Sequence, residues 1–236
     1  VTNLLFSALL YLTALLSKET ALAMLPIFPI MAFMHDKSIV STLKNCLSPV
    51  AASAVFLAIY FSVTDLLVDQ QYHIFDNSLV QDANAGKLLA TKIWIIGEYI
   101  KLMIVPYPLV YDYSFNTIQL VDLSNIQVIL TIIGAITVIG FSIKLIKDLN
   151  NTKTLILITL LLLFVLPLIP VSNLLFPIGA TMAERFLFIP SLGFIMLFTF
   201  GLFHLFEKSD IKNSKISQGI FILIAIPLAL TTVARN

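Results

Sequence analysis

Four short stretches carry most of the residues in this chain that could do chemistry. The first is Ser17-Lys18-Glu19-Thr20, set between two apolar runs. A charge at a bilayer centre costs about 2.5–3.5 kcal/mol on insertion scales, so the pair belongs at a hairpin tip near a surface. It is either a solvated turn or a matched pair of charges beside two hydroxyls. The second is Phe75-Asp76-Asn77-Ser78-Leu79, whose Asp and Asn are good turn formers. His73 stands close by without a Cys or second His at ligand spacing, so no metal site is expected. The third runs from Pro106 through Tyr107, Pro108, Tyr111, Asp112 and Tyr113 to Ser114. Tyrosines suit a membrane interface. Asp112 between two of them is a candidate carboxylate for a sugar, or the partner of a lysine. The fourth is the apolar stretch 170–191, which holds Glu184-Arg185 just before a long hydrophobic run. Arg presents a planar fork that grips phosphate oxygens in pairs. Glu184 is favoured by the dipole near a helix start, and a structural ion pair is the competing explanation.

These residues sit in a chain that cannot make a water-soluble surface. Apolar residues are 59% of its 236 and charged ones 11%, against about 25% charged in soluble domains; the mean hydropathy is +1.00. Apolar segments fall at 3–17, 20–35, 48–66, 88–105, 126–146, 154–170, 186–206 and 217–234, several near the roughly 20 residues that span a bilayer core. The net charge of +1 without a basic stripe argues against nucleic acid. The lone cysteine, Cys46, permits no internal disulfide and reads as a small buried apolar residue. The chain opens on Val1 inside an apolar run and stops after Arg235-Asn236. The expectation is that residues 1–236 are a piece of one transmembrane domain.

Lysine placement sets the expected topology. Loops 35–47, 143–153 and 207–216 carry Lys37, Lys44, Lys144, Lys147, Lys153, Lys208, Lys212 and Lys215, and should be cytoplasmic. Loop 67–86 has Asp69, Asp76 and Asp82 and no Lys or Arg. It shares the outer side with loop 107–125 only if segment 88–105 does not cross. Lys87, Thr91, Trp94, Glu98 and Lys101 are spaced 4, 3, 4, 3 and share one helical face. Leu89, Ile93, Ile96, Ile100 and Met103 lie opposite, with Lys92 as the misfit. That pattern describes a helix lying in the interface; a spanning helix with its stripe turned to other helices is the alternative. The fold expected is all-α, with about seven spanning helices and one interfacial helix.

The outer face then collects Lys18, Glu19, Asp76, Lys87, Glu98, Lys101, Asp112, Glu184 and Arg185. Cations beside carboxylates at a lipid–water boundary suit a lipid that carries a phosphate and a polyol. Arg185 first, then Lys18 and Lys87, are the candidates for the phosphate. Glu184, Glu19, Asp112, Asp76 and Glu98 are candidates for sugar or acceptor contacts, or for structural ion pairs.

In order along the chain come Ser-Lys-Glu after a hydrophobic helix, Asp-Asn in an outer loop and Pro106-x-x-Leu-x-x-Asp-Tyr-Ser. Then follows Ser172-Asn173-x-x-x-Pro-x-Gly-x-x-x-Ala-Glu-Arg-x-x-Phe-x-Pro-Ser-x-Gly193. This series resembles the transmembrane and tetratricopeptide-repeat-containing O-mannosyltransferases and their bacterial relatives, over about residues 4–236. The resemblance implies the C-type glycosyltransferase fold. It implies a polyprenyl- or dolichyl-phosphate sugar donor, mannose by preference, and transfer to a Ser or Thr hydroxyl of an acceptor protein. The active face would be periplasmic or lumenal, in a bacterial inner membrane or endoplasmic reticulum. It implies tetratricopeptide repeats after residue 236, and leaves a divalent metal open. The family usually has Pro after Asp-Asn, where this chain has Ser78. The family's acidic motif in a first outer loop, expected to hold the catalytic carboxylate, has no counterpart here, so the fragment alone should be inactive. A transporter or flippase for an anionic lipid, or a surface-polysaccharide polymerase or ligase, would share the same polytopic frame.

Overall fold

The computed structural model describes residues 2–63, 74–81, 83–108, 110, 113 and 117–208, and residues 219, 222, 225–227, 229–230 and 233 of the last apolar segment. The regular elements among them are all helical: α1 (Thr2–Ser17), α2 (Ile27–Asp36), α3 (Ile39–Val63), α4 (Ala85–Ile104), α5 (Ile126–Ile146), α6 (Thr152–Val165), α7 (Leu168–Val171) and α8 (Phe188–Lys208). Short 3-10 turns cover Glu19–Met24, Ser78–Val80 and Glu184–Leu187. Four stretches are long and apolar enough to cross a membrane: Ile39–Val63, Ile126–Ile146, Thr152–Val171 and Glu184–His204; Asn3–Ser17 is a shorter apolar helix. Their outward faces are covered with exposed Leu, Ile, Val and Phe. Such surfaces are stable only against lipid or other apolar helices, which makes this an integral membrane protein.

Local sequence explains most of the boundaries. Asn84, Asn125 and Asn151 each precede a helix and accept a hydrogen bond from the amide two residues on, satisfying an otherwise orphaned donor. Segment 20–35, one run in the sequence, is built in two pieces. The helical path breaks at Leu25-Pro26, and α2 starts with Pro26 at its cap and Pro29 in its first turn. Proline has no N–H to continue a preceding helix but fits a first turn.

α1, α2 and α3 pack around Tyr11, Leu15, Ala52 and Phe56. α8 lies along α6, with Gly193 packed against the α6 backbone. A Cβ there would stand 2.5 Å from the Phe164 backbone nitrogen and 2.7 Å from the Leu163 carbonyl carbon. Backbone cannot swing aside as a side chain can, so Gly193→Ala must separate the two helices. Overpacking of this kind costs about 1–3 kcal/mol. A lowered thermal unfolding midpoint in detergent is expected for Gly193→Ala and none for Gly201→Ala, where the added Cβ meets open space.

α4 sits differently from the spanning helices. Near its start Lys87 pairs with Asp122 at 3.4 Å, and Thr91 Oγ1 accepts from the Val121 amide at 3.0 Å. Gly97 passes against Thr131 in the early turns of α5. Later still, the Tyr99 hydroxyl accepts from the Ala183 amide at 3.1 Å. These partners all precede or open the spanning stretches α5 and α8, so α4 begins and ends at one end of the bundle. It buries Thr91, Ile95, Tyr99 and Leu102, a face between the polar stripe and the Leu89–Ile100 side. Thr91 thus belongs to the packed interior. At the opposite end of the bundle Lys37 Nζ donates to the Asn150 carbonyl at 3.3 Å, which brings two of the lysine-rich loops together.

Candidate functional site

The end of the bundle that holds α4 also holds a cavity of 740 Å³. One rim is the tip after α1, with Lys18, Glu19 and Thr20. The Tyr11 hydroxyl fastens this tip by donating to the Ala21 carbonyl at 3.0 Å. The end of α3 supplies Phe56, Leu57, Tyr60 and Phe61 as one wall; Ile169, Pro170, Leu175, Phe176 and Ile178 supply another. Arg185 and Phe186 complete it. The Arg185 guanidinium carbon lies 5.2 Å from the Phe186 ring centre, a cation–π distance that limits where the side chain swings. The charged lining is therefore Lys18, Glu19 and Arg185 on otherwise largely apolar walls. Ion pairs elsewhere in the described residues include His35–Asp36, Lys87–Asp122 and Lys101–Glu98.

The loop that carries Arg185 is held by a buried polar clamp. Asn77 and Asn173 are fully buried. Asn77 Nδ2 donates to Asn173 Oδ1 at 2.9 Å and to the Ile178 carbonyl at 2.7 Å, while its Oδ1 accepts from the Leu79 amide. Asn173 Nδ2 donates to the Ala180 and Thr181 carbonyls, each at 3.1 Å, and Oδ1 also accepts from the Ile178 amide at 2.9 Å. Asn173 adopts φ 58°, a left-handed conformation that Asn tolerates. The Ser78 amide donates to Thr181 Oγ1 at 2.9 Å, a bond that proline at this position could not make. Loops far apart in sequence are thus locked with their buried polar groups satisfied.

The predicted site residues divide by location. Lys18, Glu19 and Arg185 line one cavity. Glu184, beside Arg185, accepts from the Val110 amide through Oε1. Lys87 and Glu98 do not line the cavity: Lys87 pairs with Asp122, and Glu98 Oε2 with Lys101 Nζ at 2.8 Å. Asp76 is exposed, and its carbonyl accepts from the Thr181 amide at 3.3 Å. Asp112 lies outside the described residues. Sequence reasoning placed Asn77 and Asn173 in motifs without giving either a role, and passed over Tyr60 and Tyr99. For Asn173 its place in an apolar stretch was the available signal, since burial there demands partners. Nothing local marked Tyr60 or Tyr99.

Fold and cavity together define a multi-pass helical membrane protein with an amphipathic pocket at one end. Its curated relatives share one description. The chain is 31% identical over 139 residues to protein O-mannosyl-transferase Tmtc3 of Drosophila melanogaster, covering 57% of this chain and 15% of the relative. It is 34% identical over 141 residues to TMTC3 of Mus musculus, covering 57% and 14%. With TMTC4 of Homo sapiens the identity is 29% over 170 residues, covering 72% and 22%. The chain is thus similar in sequence to protein O-mannosyl-transferases named TMTC1, TMTC3 and TMTC4, the group its motif order resembles. It spans less than a quarter of these relatives' length. No family model matches it, and no solved structure does.

Proposed function

We propose that this chain forms the donor-binding part of a membrane glycosyltransferase that moves a mannosyl group from a lipid-phosphate donor to a protein Ser or Thr hydroxyl. The observation that carries this reading is a cavity in which Arg185 and Lys18 stand together over apolar walls. A polyprenyl chain would lie on Phe56, Leu57, Phe61, Ile169 and Phe176, and its phosphate would meet the two cations. In the reaction the acceptor oxygen attacks the anomeric carbon. The bond from that carbon to the donor phosphate oxygen breaks, the lipid phosphate leaves with the electron pair, and the hydroxyl proton passes to a carboxylate. Positive charge aimed at the leaving phosphate lowers the barrier because charge grows there in the transition state. The carboxylate belongs to a part of the whole protein beyond this chain. The pocket faces the periplasm or lumen, opposite the end where Lys37 meets Asn150. The relatives' printed activity supports the acceptor class.

The full-length protein in membrane vesicles, given polyprenyl-phosphate [3H]mannose, should place label on protein in a form released by β-elimination. Label on glycan alone would replace this reading with a polysaccharide ligase. Donor that crosses the vesicle intact, with no covalent product, would replace it with a flippase.

A further inference from the structure

Arg185 would serve a leaving phosphate only if its backbone were fixed, and each of the three residues before it is tied to α4 or to the stretch that follows α4. The Met182 carbonyl accepts from the Tyr113 amide at 3.2 Å. The Ala183 amide donates to the Tyr99 hydroxyl of α4 at 3.1 Å. Glu184 Oε1 accepts from the Val110 amide. Met182 and Ala183 are buried and Glu184 is half-buried, whereas Arg185 itself is exposed toward the cavity. Of the three ties, the one at Glu184 alone runs through an acidic side chain, and that side chain is turned to a backbone N–H.

We infer that Glu184 is a positioning residue: its carboxylate caps the Val110 amide, clasps the stretch after α4 to the turn Glu184–Leu187, and thereby sets the direction of Arg185. Contact with sugar or acceptor is not its task. The inference rests on the proposed transfer reaction for its activity readout, but the clasp can be read without it. A carboxylate and a carboxamide present the same acceptor oxygen to an N–H, while only the carboxylate carries charge or takes a proton. Glu184→Gln should therefore keep the clasp and Glu184→Ala should lose it.

The test uses the full-length protein in membrane vesicles, with Val110→Cys as reporter, a polar maleimide as probe, and polyprenyl-phosphate [3H]mannose as donor. Glu184→Ala is expected to speed maleimide labelling at position 110 and to raise the donor KM about tenfold or more, since small displacements of a positioned group cost on that scale. Glu184→Gln should match the parent in labelling and stay within about threefold in KM. Equal loss of transfer in the Gln and Ala variants, with labelling unchanged in both, would overturn the inference and give Glu184 a direct role through its charge. Normal transfer and labelling in Glu184→Ala would overturn it as well. If the parent transfers no mannose, the function proposed above fails, and the labelling comparison alone decides the clasp.

Discussion

Alanine in place of Arg185 is expected to lower mannosyl transfer by about two to three orders of magnitude in the intact enzyme, the range seen when one preorganised donor to a developing anion is removed. Folding should be spared. Arg185 is exposed to the cavity, and its neighbours Met182, Ala183 and Glu184 keep the ties to Tyr113, Tyr99 and Val110. Membrane insertion and detergent stability should therefore match the parent, with the loss confined to donor binding and turnover. Arg185→Lys should retain part of the rate, because a point charge remains while the paired donor geometry is lost. Lys87→Ala is the informative companion. Lys87 forms a largely exposed pair with Asp122, with side chains 47% and 62% accessible, worth about 1 kcal/mol at most. It lies off the cavity, so transfer should hardly change. Wild-type turnover by Arg185→Ala with the radiolabelled donor would end the case for this residue at the phosphate.

The second large effect concerns the clamp. Asn173→Ala removes the acceptor for the Ile178 amide and for Asn77 Nδ2, and both donors to the Ala180 and Thr181 carbonyls. It also places a Cβ residue without a local polar partner at φ 58°. A buried polar group left unpaired costs about 1–3 kcal/mol, and the left-handed backbone adds about 1–2 kcal/mol for alanine. A destabilisation of about 3 kcal/mol or more is expected, read as a lower thermal unfolding midpoint in detergent. Asn173→Gly separates the two causes, since it relieves the backbone and keeps the hydrogen-bond loss; it should fall between Asn and Ala. Asn77→Ala should combine with Asn173→Ala less than additively, because the two share a bond. Full additivity would mean that the asparagines do not act as one clamp.

The clamp shows why part of the site could not be read from residues in order. Asn77 and Asn173 stand 96 positions apart, and each taken alone is an ordinary turn former. Only when the helices between them fold back do their amides meet and become buried. α4 gives the reverse case. Its charges at 3- and 4-residue spacing marked out one polar face. The spacing could not say which flank would be covered, and Thr91 entered the interior because Val121 offered a donor there. Lys87 and Glu98 shared the expected face of the molecule with Arg185, yet each found a nearer opposite charge. Sharing a membrane face is a condition on one coordinate, and a binding site needs all three.

Apolar run length, proline positions, asparagine caps and lysine-rich loops are properties of short stretches of chain. They act through local hydrogen bonding and the cost of putting charge in lipid. For that reason the sequence by itself determined that this is an all-helical membrane protein, where most helices start, and that Glu184-Arg185 stands at the head of a spanning stretch. Which charges share a cavity depends on contacts between segments far apart in the chain. Those contacts form only when side-chain shapes and buried polar groups are satisfied together. The tertiary structure alone therefore placed Lys18, Glu19 and Arg185 around one apolar pocket and sent Lys87 and Glu98 elsewhere.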